Sequence, residues 1–479
     1  MSLKEKGLQG VFWTFGQQFG TQIIQFIVQI ILARVLMPAE FGLIGMLAVF
    51  MALGNSLVDS GMSSSLIRTQ DADDRDFSSV FFINITVSVF VYFVLFYTAS
   101  YIATFFNQPI LSDIIKVYCL SFIIRAISSI QYVRLTILMD FKTQTILRLP
   151  ALGISSVVGL LLAYKGYGVW SLVYMQLANV TLESILIWFQ VKWRPSSILD
   201  WKRLKRHFNF GYKLTLSGII DTVYSNIYHI IIGKYFTSAQ LGFYTRAQSM
   251  RQLPVSNISS ALNQVTYPLF SSIQDDNIRL KNVYKRLMQQ VLFWIAPILV
   301  IAGVLGEPLF RFLMTEKWLP AVPYFQILCL GGIMYPLHAY NLNILNVKGR
   351  SDLFLKLEIV KKVFVTVGLI VALPFGIYGL LWMQFVLTIV FFFINTSFSG
   401  KLINYPVLDQ VKDILAILGL AGLIGIMVFL VDMQLPRSSN FDLIRLVLGT
   451  VLGLGGYITV SFLTGFSPFA DFRELILKR

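Results

Sequence analysis

The chain has 479 residues, of which 56% are hydrophobic and 13% charged, and its mean hydropathy is +0.70. A soluble protein of this size could not bury so much apolar surface, so the composition indicates a polytopic membrane protein. The formal net charge of +15 indicates cytoplasmic loops facing anionic lipid. It does not indicate nucleic-acid binding, because no extramembrane segment is long enough to form a basic domain.

Apolar windows of about twenty residues predict an all-α protein with about fourteen transmembrane helices. The windows fall at 11–35, 41–66, 79–105, 114–138, 147–164, 168–191, 208–234, 241–267, 288–306, 319–345, 355–375, 378–400, 411–431 and 443–465. Lys and Arg are concentrated in every second connection, which places both termini in the cytoplasm. The short connections exclude a soluble catalytic domain, so we expect no catalytic residue.

One stretch of the chain is repeated. Ile27–Leu66 recurs without gaps as Ile227–Thr266. Each copy reads as an apolar helix, a short turn with one cation (Arg34 or Lys234), and an Ala-x-x-Gly motif that opens a second helix. The register favours a duplicated unit. The identical pairs are Ile27/Ile227, Ile30/Ile230, Ile31/Ile231, Ala39/Ala239, Gly42/Gly242, Leu53/Leu253, Ser56/Ser256 and Ser60/Ser260.

The repeat predicts the domain organisation. Corresponding residues of the two copies are six predicted helices apart. Because six is an even number of membrane crossings, both copies have the same orientation in the membrane. We expect two six-helix lobes related by a pseudo-twofold axis along the membrane normal, followed by a C-terminal helix pair. The expected segments are an N-terminal lobe at 1–191, a basic cytoplasmic linker at 192–207, a C-terminal lobe at 208–405, and the last two helices with a basic tail at 406–479.

The linker Lys192–His207 is the most basic connection of the chain. Its tryptophans, Trp193 and Trp201, are expected at the lipid headgroups, with the cations directed toward anionic lipid. We expect His207 to be in contact with solvent. The two cysteines, Cys119 and Cys329, both lie in apolar segments, so neither a metal site nor a disulfide framework is predicted.

Several predicted helices carry stripes of polar residues. A single Gln or Ser in such a stripe more often joins helices by hydrogen bonds than binds a ligand. His229 and His338 are likewise expected to make structural hydrogen bonds. The stripes comprise Gln18, Gln22, Gln25 and Gln29 on the first helix; Asp221, Tyr224, Ser225, Tyr228 and His229 on the seventh; and Gln252, Ser256, Asn257, Ser259, Ser260, Asn263 and Gln264 on the eighth, beside Pro254.

Charges inside predicted helices are a stronger signal. Each would cost about 3 kcal/mol facing lipid, and six together would cost roughly 15–20 kcal/mol, comparable with the stability of a whole protein. They therefore predict a water-accessible interior cavity. Arg246, close to the start of its window, fits an interfacial position equally well. The six are Asp59, Arg125, Glu183, Asp221, Arg246 and Arg251.

This cavity composition predicts an anionic, polyhydroxylated substrate. Guanidinium groups match phosphate geometry, and amides, hydroxyls and aromatic faces suit sugars. The carboxylates either pair with the arginines or bind a coupling proton or sodium ion. Substrate binding is assigned to Arg125, Arg246, Arg251, Asn257, Gln22, Gln25 and Tyr228, and ion coupling or charge pairing to Asp59, Glu183 and Asp221.

Four stretches carry a resemblance to a known family. They resemble the polysaccharide transporter branch, the Wzx-type flippases, of the multidrug/oligosaccharidyl-lipid/polysaccharide exporter superfamily. They are Ile31–Leu43 (ILARVLMPAEFGL), Leu57–Ile67 (LVDSGMSSSLI), Gly168–Leu172 (GVWSL) and Leu241–Gln248 (LGFYTRAQ), the last continuing through Leu253 and Pro254 to Tyr267–Phe270.

The resemblance implies two six-helix lobes that alternate in access to a central cavity. It also implies an undecaprenyl-diphosphate-linked oligosaccharide as substrate, moved from the cytoplasmic to the periplasmic leaflet of the bacterial inner membrane and driven by an ion gradient. The implied partners are this substrate, membrane lipid and the polysaccharide polymerase machinery. By position, Arg125, Arg246 and Arg251 match the family's cavity cations.

Three alternatives remain at this stage. A flippase for lipid II shares the fold and the lipid-diphosphate chemistry. A drug exporter of the same superfamily would favour an acidic, aromatic cavity without buried arginines. A membrane glycosyltransferase or polymerase would need a larger outside loop with clustered acidic, Arg or His residues.

Overall fold

The computed structural model describes the backbone of residues 3–59, 61–196 and 200–477, without the side chains of 3–8, 213–214, 258–265 and 475–477. Over these residues the chain is helical and contains no β-strand, which confirms the predicted all-α class. It divides into two compact units, Met1–Gly242 and Phe243–Arg479. The lobe boundaries expected from the repeat stay a prediction.

In the first unit, α7 packs against α1 and α8, while α4 packs against α5 and α6. The helix α9, which follows the basic linker, packs against α2, α3 and α4. The helices of this unit are α1 (Leu3–Val35), α2 (Pro38–Asp59), α3 (Met62–Arg68), α4 (Asp74–Phe105), α5 (Ile110–Tyr118), α6 (Leu120–Ile137), α7 (Phe141–Tyr164), α8 (Val169–Gln190), α9 (Trp201–Ser225), α10 (Ile227–Tyr235) and the start of α11 (Ser238–Ser272).

The second unit is built around α12, which packs against α14, α17, α18 and α19. Val291, Leu292 and Phe293 are fully buried on successive positions of this helix, as expected for a helix that is apolar on all sides. The helices that follow α11 are α12 (Asn277–Val304), α13 (Gly306–Met314), α14 (Val322–Val347), α15 (Ser351–Ala372), α16 (Gly376–Leu402), α17 (Val407–Met433), α18 (Asp442–Leu463) and α19 (Ser467–Leu477).

Over the described residues each of the fourteen predicted windows is mainly helical, but not all of these helices are long and apolar enough to cross a membrane. Ten stretches of the described chain meet that criterion, and one of them, Ser351–Leu402, contains two helices. The count of fourteen is therefore not confirmed. The windows that fall short correspond to α5–α6, α9–α10 and α11, and these helices carry four of the six charged candidates.

The two repeat copies adopt the same turn. In the first copy Glu40 Oε2 accepts a hydrogen bond of 2.7 Å from the backbone N–H of Met37. Two hundred positions later, Gln240 Oε1 accepts one of 3.1 Å from the backbone N–H of Thr237. Each side chain thus caps the start of its own second helix, satisfying a backbone donor there. The duplication seen in the sequence extends to the local geometry of the chain.

The linker differs from its prediction. Trp193 is only 8% exposed and packs with Phe77, Phe81 and other apolar residues of the first unit. His207, expected in solvent, is fully buried. Only Trp201 fits the expected exposure, at 70%. The expectation was wrong for Trp193 and His207. The composition of the linker shows its cations, but it does not show which acidic residues elsewhere in the chain pair with them.

Candidate functional site

The site candidates lie in both compact units. In the first unit, Glu183 on α8 is joined to its neighbours by hydrogen bonds. Asn179 Nδ2 donates to Glu183 Oε1 at 3.0 Å, and Ser155 Oγ on α7 donates to Asn179 Oδ1 at 3.4 Å. The predicted carboxylate therefore accepts a hydrogen bond from a neutral amide, which is in turn held by a hydroxyl on the neighbouring helix.

Beside this group lies a cluster of cations around Tyr132. The Arg148 guanidinium on α7 lies 4.4 Å from the centre of the Tyr132 ring, a cation–π geometry. Arg125 and Glu183 also lie within electrostatic range of the Tyr132 hydroxyl. The structure thus brings the predicted Arg125 and Glu183 together with Arg148, which is not among the predicted site residues.

Arg148 was counted with the loop cations because it is the second residue of its apolar window, 147–164. The helix α7 begins at Phe141, so Arg148 lies about two turns inside it. Asp140 accepts a hydrogen bond of 3.0 Å from the backbone N–H of Thr143, so it caps the helix. That Asp before the apolar run was the available signal.

The other candidates of the first unit are more dispersed. Gln22 is partly buried and Gln25 exposed on α1, which packs mainly on α7. Asp59 is exposed at the end of α2 and accepts a hydrogen bond from Ser63. Asp221 and Tyr228 were expected on one continuous helix face. That expectation is wrong, because the helix breaks at Asn226, leaving Asp221 exposed on α9 and Tyr228 buried on α10.

In the second unit the candidates lie on α11. Arg246 is only 6% exposed, which favours an interior over an interfacial position. Asn257, six residues beyond Arg251, is partly buried. Helix α11 continues through Pro254. The stripe residues Ser259, Ser260, Asn263 and Gln264 lie outside the side chains that the structure describes.

Arg251 is held against α14 with little polar compensation. Its Cδ fills the space above Gly332, where an added Cβ would come within 2.9 Å. Its Nη2 donates to Gln252 Oε1 at 3.0 Å, while its Nε has no hydrogen-bond partner among the described residues. Tyr244, Cys329 and Tyr335 are its electrostatic neighbours. A largely buried cation with so few acceptors is a candidate for binding an anion.

A buried ion network in the second unit was not predicted. Arg445 Nε and Nη2 on α18 donate to the two carboxylate oxygens of Asp432 at 2.8 and 2.7 Å. Asp442 accepts from Arg311 at 3.2 Å, and Arg311 also pairs with Glu307. Arg445, Asp432 and Asp442 are all less than 10% exposed. The network joins α13, α17 and α18, so it positions the C-terminal helix pair. Arg445, a charge inside an apolar window, was the missed signal.

A second unpredicted network explains the buried linker. Asp76, fully buried at the start of α4, accepts from Arg203 at 2.7 Å and from Arg206 and His207 at 3.1 Å each. The other ring nitrogen of His207 lies 2.8 Å from Ser65 Oγ. Hydrogen bonds to the carboxylates of Asp73 and Asp76 raise the pKa of Arg203 above its usual value. These contacts hold α9 against α3 and α4.

Two surface cavities lie away from all of these candidates. One of about 500 Å³ is bordered by Thr396, Lys401 and Asn404, and one of about 460 Å³ by Ser100, Asn107 and Ser112. Neither contains a predicted site residue, and their open, mainly apolar walls offer no chemistry like that around Arg251 or Glu183. The charged candidates therefore carry the functional argument.

Comparisons with known proteins identify the family of the chain and agree with its helical membrane fold. A family model described as polysaccharide biosynthesis protein matches residues 31–323. Teichuronic acid biosynthesis protein TuaB of Bacillus subtilis (strain 168) is 23% identical over 460 residues, covering 95% of both chains. Lipopolysaccharide biosynthesis protein WzxC of Escherichia coli (strain K12) is 24% identical over 408 residues, 82% of each. The solved structure of lipid II flippase MurJ, inward closed conformation, gives a TM-score of 0.73 at 14% identity, covering 98% of this chain and all of that one.

Proposed function

This chain belongs to the polysaccharide biosynthesis protein family, and on that premise we propose that it carries an undecaprenyl-diphosphate-linked oligosaccharide across the bacterial inner membrane. It is a multi-pass membrane protein with a transporter fold. The two lobes expose the substrate first to the cytoplasmic and then to the periplasmic side, with both chain termini in the cytoplasm. The repeat unit of an O-antigen, a capsule or an exopolysaccharide is the class of oligosaccharide moved.

The environment of Arg251 is the main support for this proposal. Its guanidinium is largely buried, and the hydrogen bond that the structure gives it goes to a neutral amide, Gln252. Burying a cation in this way is unfavourable unless an anion completes the site. A diphosphate supplies that anion and matches the planar fork of an arginine. Arg125 and Arg148, grouped with Tyr132 in the first unit, offer further cations and an aromatic face for the sugars.

Coupling to an ion gradient is assigned to Glu183. Of the three predicted carboxylates, it is the one that is partly buried, and it accepts a hydrogen bond from Asn179 Nδ2. A carboxylate in the interior of a membrane protein can take up a coupling proton or sodium ion. Asp59 and Asp221, both exposed, remain the alternatives for coupling or pairing.

A cell lacking this chain tests the function and separates it from an enzyme of the same pathway. We expect surface polysaccharide to disappear and the lipid-linked oligosaccharide to accumulate in the cytoplasmic leaflet, out of reach of an impermeant glycosidase added to spheroplasts. Loss of a polymerase would instead leave single repeat units accessible on the outer side. Accessible repeat units in the cells without this chain would therefore overturn the proposal.

A further inference from the structure

The two repeat copies meet at a reciprocal backbone contact. A Cβ on Gly42 of α2 would lie 1.7 Å from the carbonyl oxygen of Ser238, and a Cβ on Gly242 of α11 would lie 1.9 Å from that of Pro38. Positions 42 and 242, and 38 and 238, are each two hundred residues apart, which is the offset of the sequence repeat. The contact is therefore self-complementary, with a local twofold axis between the two glycines.

Only glycine fits at either position. Both distances are far shorter than the closest approach of a real Cβ atom, and the neighbouring atoms are backbone, which cannot turn aside as a flexible side chain could. An alanine on either helix would therefore force the two helix starts apart. The conformation in which they touch depends on the absence of a side chain at both positions.

The contact is built so that it can open. The N–H groups of Met37 and Thr237 are satisfied by Glu40 and Gln240 of the same helix starts. When the two helices separate, these caps stay in place, so the two backbone N–H groups remain hydrogen-bonded. The charge distribution of the loops also puts this end of α2 and α11 on the outer side of the membrane.

We propose that Gly42 and Gly242 form the outer gate of the transport pathway. In the structure described here the two glycines touch and the gate is closed. Opening separates the starts of α2 and α11 and gives the periplasm access to the substrate. The gate is a positioning device and does not touch substrate. This inference rests on the proposed function, because it gives the two repeat copies their role in alternating access.

Labelling of a single cysteine tests the gate without any transport substrate. Gln25→Cys is placed in a background of Cys119→Ser and Cys329→Ser, and intact cells are treated with a membrane-impermeant maleimide. Gly42→Ala and Gly242→Ala are each expected to raise the labelling rate severalfold, because the closed state no longer fits. The control is Gly153→Ala, whose Cβ meets nothing within 4 Å. Unchanged labelling in both gate variants, with normal amounts of protein, would overturn the proposal.

A reversible crosslink covers the case in which the alanine variants fail to fold. Ala39→Cys and Ala239→Cys, in the same cysteine-free background, keep both glycines and are joined by a short thiol-reactive crosslinker. The crosslinker is added first and its excess removed, and Gln25→Cys is then labelled from outside; the same treatment of Gln25→Cys alone shows how much of that thiol the crosslinker consumes. Crosslinking is expected to lower the labelling, and reduction is expected to restore it. Labelling that does not respond to the crosslink would show a static contact. Labelling that responds, in a chain that moves no oligosaccharide when Gln25 is kept, would retain the gate and reject the substrate.

Discussion

Replacing Arg251 with alanine is expected to remove surface polysaccharide while leaving the folded protein in the membrane. Charge-assisted hydrogen bonds contribute about 1.5–3 kcal/mol, so their loss lowers transport about 10- to 100-fold. Folding is spared because the described hydrogen bond of Arg251 goes to a neutral amide, Gln252, and its removal leaves no buried carboxylate uncompensated. Surface polysaccharide and the amount of membrane-inserted protein are the two measurements.

Two further variants sharpen the Arg251 experiment. Arg251→Lys keeps the charge but not the planar fork, so it is expected to retain part of the transport. Arg68→Ala removes an exposed cation at the end of α3 and serves as the matched control with normal transport. Arg125→Ala is expected to resemble Arg251→Ala. Full polysaccharide output from both Arg125→Ala and Arg251→Ala would contradict the assignment of these cations to the substrate.

Replacing Arg445 with alanine is expected to have the opposite signature, a loss of stability. The change leaves the buried carboxylate of Asp432 without its bidentate partner and removes one of the two cations beside Asp442. Breaking a buried ion pair in this way costs about 3–5 kcal/mol. The measurement is the thermal unfolding of the purified protein in detergent. A midpoint equal to that of the unchanged protein would show that the network does not hold α18 in place.

A double replacement distinguishes two causes of lower stability, the uncompensated carboxylates and the loss of packing. Arg445→Leu together with Asp432→Leu removes both members of the bidentate pair and fills their space with apolar atoms. Such replacements are often neutral or stabilising, so the double variant is expected to be more stable than Arg445→Ala. Equal destabilisation of the two would assign the effect to packing rather than to the uncompensated carboxylates.

The helical architecture was largely predictable from the sequence, because apolar length and loop charge follow from the physics of the bilayer. The repeat was also predictable, and the matching caps of Glu40 and Gln240 show that it extends to hydrogen bonds. The family resemblance of Ile31–Leu43 and Leu241–Gln248 is confirmed by the match over 31–323. Hydropathy was less informative for α6, α9 and α11, whose polar residues leave them short of an apolar span.

The details of the site were less accessible, because they depend on contacts between distant segments. Arg125 and Glu183 are predictable because they are charged residues inside predicted helices. No neighbouring residue in the sequence indicates that Arg148 lies with them around Tyr132. The burial of His207 likewise depends on Asp76, 131 positions away in the chain. A pattern read along one helix cannot supply such pairings. The substrate and coupling roles of the candidate residues stay predictions.

The proposed transport function is tested by measuring whether the purified protein moves the lipid-linked oligosaccharide across a membrane. The chain is reconstituted into vesicles that carry a radiolabelled undecaprenyl-diphosphate oligosaccharide, and an impermeant glycosidase is added outside under an imposed proton or sodium gradient. We predict that all of the substrate becomes cleavable in vesicles with the protein, but only the outer-leaflet share in vesicles without it or with Arg251→Ala. Equal cleavage with and without the protein, under either gradient, would contradict the proposal that this protein transports the lipid-linked oligosaccharide.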